Sequence, residues 1–236
     1  MWYGVGMKKG KLIVIDGIDG VGKATQAKLL VGRLNKEGKK AVYIDFPQYY
    51  KNHFGKLIGE CQAGERGDFL NLDPKIASTL YAADRFESKE QIGKWLSSGY
   101  IVVADRYASG NQIHQGGKIR NPKKQKAFLK WLDSMEFGVF KIPRPDVIIY
   151  LSLPVRLSLK LLKKAKKDDT KKRYLKGKKD VVESSLRYLE ESRKSALSII
   201  RGSNNWKEVV CNRGNEILPK EAIHELLWRE ARKVLT

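Results

Sequence analysis

At 236 residues the chain is long enough for one sizeable domain, and its 42% hydrophobic and 9% aromatic content excludes a globally disordered protein. No run approaches the ~18 apolar residues that a membrane span needs, and two cysteines, Cys61 and Cys211, are too few for a disulfide framework or a zinc cluster. A formal net charge of +21 points to a phosphate-bearing partner, whether nucleotide, nucleic acid or anionic membrane.

Met1 to Gly10 has no apolar core of signal-peptide length, so the chain reads as a cytoplasmic protein with an N-terminal extension, 1–10, ahead of a single domain, 11–236. Lys11 to Ile15 is a short run rich in β-branched residues and closed by glycine, as expected of a strand buried on both faces. Comparable strands are predicted at Ala41 to Phe46, Tyr100 to Ala104, Val147 to Leu151 and, more weakly, Trp206 to Cys211. Helical spacing fills the intervals at Lys23 to Glu37, Pro74 to Ser97, Pro122 to Met135, Pro154 to Ala165 and Val181 to Arg201, with a last helix at Pro219 to Val234. Strands alternating with helices predict an α/β fold, a parallel sheet with helices on both faces whose ligands bind at the carboxyl ends of the strands. One segment departs in composition. Lys160 to Lys179 carries eleven Lys or Arg against only Asp168 and Asp169, and by itself reads either as a solvated face or as a phosphate-handling lid.

The first predicted strand leads into Gly17-Ile18-Asp19-Gly20-Val21-Gly22-Lys23-Ala24-Thr25 and then into a helix. This is the spacing of a P-loop, in which glycines let backbone N–H groups turn toward phosphates and Lys23 reaches the β- and γ-phosphates. Ala24 stands where the strict pattern has a Mg²⁺-holding Ser or Thr, and Thr25 falls one residue late. Ile101-Val102-Val103-Ala104-Asp105 is an apolar strand ending in a carboxylate, the pattern of a Walker B element that handles a metal or its waters. Arg106 and Tyr107 follow it directly.

Taken together these motifs resemble the thymidylate kinase family, in order and spacing, from Lys11 to about Leu235. Phe46-Pro47 with Tyr49 matches the family's Phe-Pro pair after the second strand, Tyr81 its base-stacking aromatic, and Arg85 its base- and phosphate-reading arginine. Asp105-Arg106-Tyr107, then Asn111, matches its Asp-Arg-Tyr element and nucleoside-facing loop. Pro145-Asp146 before the fourth strand, and the basic segment before Asp180 and Glu183, also fit.

The resemblance implies a three-layer P-loop kinase fold, a five-stranded parallel sheet with helices on both faces and a basic lid at about 163–180. It implies ATP and Mg²⁺ as cofactors, dTMP as acceptor, and a homodimer, with neither membrane nor nucleic acid as partner. It further implies Lys23, Asp19, Asp105, Arg106 and Arg173 as catalytic residues. ATP falls to Gly17, Asp19, Gly20, Val21, Gly22, Lys23, Ala24 and Thr25, and dTMP to Phe46, Tyr49, Tyr81, Arg85, Arg106, Asn111 and His114. Asp19 and Asp105 would orient the metal through water. Arginine is absent between Gly17 and Lys23, as in those members that supply a catalytic arginine from the lid, where Arg173 stands with Lys171 and Lys172 as substitutes. Three positions depart from the family pattern: Ala24, the strand end Leu151-Ser152-Leu153 where an aspartate is common, and His114 in place of an aromatic below the sugar. Two other readings are another nucleoside monophosphate kinase and a nucleic-acid-binding ATPase; for the latter the sequence shows neither a helicase-like second domain nor an aromatic-basic RNA-binding signature.

Overall fold

A computed structural model describes residues 9–165 and 186–235. The predicted alternation is realised as β1 (Lys11–Asp16), α1 (Lys23–Lys36), β2 (Ala41–Asp45), α2 (His53–Gln62), α3 (Pro74–Glu87), α4 (Lys89–Ser97) and β3 (Ile101–Asp105). A short helix, α5 (Ala108–Gly110), then runs into a π-helical turn, Asn111–Gln115, and α6 (Pro122–Asp133) into a second, Ser134–Val139. The chain continues through β4 (Val147–Ser152), α7 (Val155–Ala165), α8 (Leu186–Arg201), β5 (Trp206–Val210), the two-residue strands β6 (Asn212–Arg213) and β7 (Glu216–Ile217), and α9 (Lys220–Arg232).

Among the described residues β2-β3-β1-β4-β5 form one sheet with every neighbouring pair parallel. Its central strands, β1, β3 and β4, are apolar on both faces because each face is covered by helices. Alternate side chains therefore enter two different cores. Ile13, Ile15, Val103 and Ile149 pack with Leu30 and Leu34 of α1 and Leu227 of α9. Leu12, Val14, Val102 and Ile148 pack with Ile92 and Leu96 of α4 and Ala196 of α8. This is the three-layer α/β arrangement expected.

Several boundaries differ. The helix predicted from Pro74 to Ser97 is two, broken at Ser88, whose hydroxyl accepts a 3.0 Å bond from Asn52. The hydrophobic spacing runs on across the break, so only packing reveals it. Helix α2 was not anticipated, because its two glycines, Gly55 and Gly59, lower its intrinsic helix propensity. Tertiary contact overrides that cost: Gly55 lies so close to the loop after β2 that a Cβ there would sit 2.2 Å from the carbonyl oxygen of Gln48. Gly10, assigned to the N-terminal extension, donates a 2.8 Å bond to the Leu96 carbonyl and so belongs to the body. Residues 1–8 of that extension, and the expected lid from residue 166 to 180 with Arg173, lie outside the described residues.

The contact at Gly55 yields a test of how the fold holds the loop at Phe46–Tyr49. Gly55→Ala should destabilise the protein by roughly 1–3 kcal/mol through overpacking. The opposite core should stay intact; unchanged thermal unfolding would count against the tight packing described.

Candidate active site

The site forms at the carboxyl ends of β1, β2 and β3, where the strands stop and their loops must turn back. After β1, Gly17, Gly20 and Gly22 take φ of 154°, 81° and 88°, values that side-chain-bearing residues rarely adopt. Gly20 is doubly constrained, since a Cβ would meet Ser158 O and Leu162 Cγ of α7, both at 2.5 Å. Helix α1 opens at Lys23 with no side chain capping it, so its N-terminal N–H groups and dipole favour a phosphate. The buried Nζ of Lys23 donates to the Ile18 carbonyl at 2.8 Å and lies 3.8 Å from Asp19 Oδ1. Burial, and then the positive charge of Arg106, lower the Lys23 pKa to about 8, against the opposing pull of Asp19, Asp105 and Asp16.

Asp16, at the end of β1, was not picked out from the sequence. It accepts from Gly17 N at 2.8 Å and from the hydroxyl of Ser109, and so ties the phosphate loop to the turn after β3. Burial raises its pKa.

Arg106 sits at that turn with φ of 66°, a left-handed conformation that costs a non-glycine residue about 1–2 kcal/mol. Its side chain pairs with Asp19 through Nη2 and lies 3.0 Å from His114 Nε2 through Nη1. Burial alone would favour loss of its charge, but Asp19, Asp16 and Asp105 more than offset this and raise its pKa. A guanidinium has no acceptor, so His114 Nε2 must accept and the ring proton sits on Nδ1, 3.1 Å from Ser192 Oγ. Burial and the charge of Arg106 hold the His114 pKa down to about 3, which keeps the ring neutral. It stacks on Tyr188, with centroids 5.6 Å apart.

Beside this junction opens a cleft of about 660 Å³, counting space open to solvent, within the usual range for small-molecule sites. Every residue expected to hold the acceptor lines it: Phe46, Tyr49, Tyr81, Arg85, Arg106, Asn111 and His114, with Asp19 at the edge nearest the phosphate loop. Tyr49 and Tyr81 are bridged by one amide, since Tyr49 Oη donates to Gln62 Oε1 at 2.7 Å and Gln62 Nε2 donates to Tyr81 Oη at 3.1 Å. Arg85 is almost fully buried and is held by Glu136, its Nε donating to Oε2 at 2.9 Å and its Nη2 to Oε1.

Sequence reasoning missed Gln62, Gln115, Glu136 and Tyr188. Gln115 is the most pointed of these, because the residue lines the cleft while its buried Oε1 has no hydrogen-bond partner among the described residues. It directly follows His114, which was the one available signal. Gln62 lies in the helix that propensity hides, while Glu136 and Tyr188 reach the site only through distant packing.

Of the remaining phosphate-loop positions, Ala24 is partly buried and Thr25 exposed. Among the described residues no three His, Cys, Asp or Glu side chains form a metal cluster of their own. The donor set nonetheless suits Mg²⁺, which keeps several waters and needs only one or two carboxylates beside substrate phosphates. Asp19 and Asp105, whose charges both act on Lys23, are the carboxylates that would hold such an ion through water.

Comparison with known proteins bears on the family and the fold. A thymidylate kinase from Mycobacterium tuberculosis is 30% identical over 148 residues, covering 62% of this chain and 68% of that protein. A probable thymidylate kinase from Thermococcus onnurineus is 37% identical over 154 residues, covering 63% and 69%. The solved thymidylate kinase of Candida albicans superposes with a TM-score of 0.69 over 97% of this chain and 94% of its own; at 24% identity it bears on the fold alone. The thymidylate kinase family model matches residues 15–218, and with the phosphate loop, the Asp-Arg-Tyr turn and the acceptor cleft in place, the chain belongs to the thymidylate kinase family.

Proposed function

We propose that the chain transfers the γ-phosphoryl group of ATP to dTMP, forming dTDP for deoxynucleotide synthesis. The observation that carries this reading is Arg106, which touches the phosphate loop at Asp19 and the acceptor cleft at His114. In this reading Arg106 stands between donor and acceptor, where an entering monophosphate would meet the γ-phosphate. Lys23 and the N-terminal N–H groups of α1 bind the ATP phosphates and oppose the charge that spreads over them during transfer. Tyr49 and Arg106 hold the monophosphate. Tyr81 offers its ring to the pyrimidine, and Phe46 closes the cleft beside it.

When bound, Mg²⁺ would neutralise charge on the ATP phosphates; Asp19 and Asp105 would hold it through water, leaving Ala24 without a metal role. Arg173 is assigned as the lid cation that approaches the transferring group, although it lies outside the described residues. A homodimer accounts for the exposed apolar side chains Ile76 and Phe86 of α3 and nearby Val139, which a second copy would cover. The free thiols of Cys61 and Cys211 suit a reducing, cytoplasmic compartment.

Coupled ADP release across dTMP, dUMP, dCMP, AMP and GMP tests the acceptor. Arg85 can only donate, so it favours the O4 of thymine or uracil over the N4 amino group of cytosine, a buried mismatch worth about 1–3 kcal/mol. The expected order is dTMP, then dUMP, then dCMP well behind, with purine monophosphates inactive. Equal rates with dTMP and dCMP would remove Arg85 from base reading.

Lys23→Ala should lower kcat by at least about 100-fold, as loss of a transition-state donor does elsewhere, with the fold intact by circular dichroism. The pH dependence is more discriminating. In the free protein the Lys23 pKa is about 8, and ATP phosphates, by favouring the charged form, raise it in the complex. Affinity for ATP should therefore fall as pH rises through 8, with KM increasing up to about tenfold per pH unit above that point. Lys23→Arg stays charged throughout and should abolish this slope, whatever its kcat; a native KM for ATP that stays flat from pH 7 to 9 would contradict the assignment.

A further inference from the structure

Arg85 and Asn111 both line the acceptor cleft, and both are held from behind by one carboxylate that does not line it. Glu136 lies in the π-helical turn Ser134–Val139 and is 1% exposed. Its Oε2 accepts from Arg85 Nε at 2.9 Å, and its Oε1 accepts from Arg85 Nη2 and from Asn111 Nδ2 at 2.8 Å. The second hydrogen of Asn111 Nδ2 goes to the Ser78 carbonyl at 3.1 Å.

This arrangement leaves each cleft residue one remaining end. Arg85 has its Nε–Nη2 edge committed, so Nη1, a donor, is the terminus left over among the described residues. Asn111 has spent both amide hydrogens, so Oδ1, an acceptor, is left. Turning the Asn111 amide over would set its oxygen against both a carboxylate and a carbonyl, so its orientation is locked. Gln115 offers the contrast. Its Oε1 has no hydrogen-bond partner among the described residues, so no comparable pair of bonds fixes its amide.

We propose that Glu136 is a positioning residue that writes the donor–acceptor code of the acceptor site, and that this code selects 4-oxo over 4-amino pyrimidines. A donor at Arg85 and an acceptor at Asn111 match the O4 and N3–H of thymine or uracil. Cytosine presents the reverse pair, an N4 amino group and a bare N3, and meets a mismatch at both places. The proposal rests on the reading of the cleft as a pyrimidine monophosphate site, and adds that selectivity is set by a group that never touches the base.

Glu136→Gln keeps the shape but replaces one acceptor with a donor, so the carboxylate's partners can no longer both be satisfied. The ratio of kcat/KM for dTMP to that for dCMP should fall at least about tenfold, one lost or reversed buried hydrogen bond being worth that much. The change should appear in KM for the monophosphate, with KM for ATP unchanged. Glu136→Asp, which keeps both acceptor oxygens, should restore most of the ratio. A folded Glu136→Gln protein with the native ratio, or a Glu136→Asp protein that loses as much as Glu136→Gln, overturns the proposal.

A measurement on the native protein needs no variant. In a crystal structure of its dTMP complex the Asn111 Nδ2 should stay within hydrogen-bond distance of the Ser78 carbonyl and Glu136 Oε1, with the base N3 facing Oδ1; a base acceptor facing Nδ2 would overturn the code. Native turnover of dTMP is the separate control. If it is absent the functional reading fails, and the dTMP to dCMP affinity ratio by calorimetry still decides the role of Glu136.

Discussion

Arg106 is the constraint around which the site is arranged. A cation this enclosed is tolerable only beside compensating charge, and Asp19, Asp16 and Asp105 converge on it from the ends of β1 and β3. Because its partner Asp19 lies inside the phosphate loop and its partner His114 inside the acceptor cleft, the two half-sites cannot shift independently without uncovering the charge. The left-handed backbone at Arg106 is the local cost, offset by these contacts.

Polarity in the cleft is set by groups behind the surface that the ligand meets. His114 illustrates this. An isolated imidazole would titrate near neutrality, but here burial and the neighbouring guanidinium remove the charged form, and the hydrogen bond from that guanidinium fixes the proton on Nδ1. The ring then presents a flat neutral face, stacked on Tyr188. Tyr188 and Ser192 both come from α8, so one helix holds the His114 ring from its face and from its Nδ1.

The net charge of +21 is informative in a narrower way than it first suggests. Most of the described lysines lie on the surface, where single ion pairs such as Lys233–Glu230 contribute little to stability. Among the described residues the cations at the site are few and at least partly buried: Lys23 and Arg85 are buried and Arg106 is half-buried, each facing carboxylates at close range. They act in a low-dielectric surrounding, where position counts for more than number.

The chain's sequence by itself determined the parallel α/β fold, because β1, β3 and β4 are written as short, wholly apolar runs that only a doubly covered sheet accommodates. The phosphate loop and the strand-end Asp-Arg-Tyr were legible as local signals, in glycine spacing and in an apolar strand that ends on a carboxylate, whereas Phe46, Tyr49, Tyr81, Arg85 and Asn111 were named only through resemblance to the family. Tertiary structure alone decided the rest. Helix α2 is visible only once Gly55 is seen against Gln48. The break at Ser88 appears only when Asn52 reaches it. Glu136, Gln62 and Tyr188 enter the site from elements distant in sequence. Their roles depend on which way a hydrogen bond points between side chains, and no spacing along a chain encodes that direction; it is set when packing removes water and leaves each donor one acceptor.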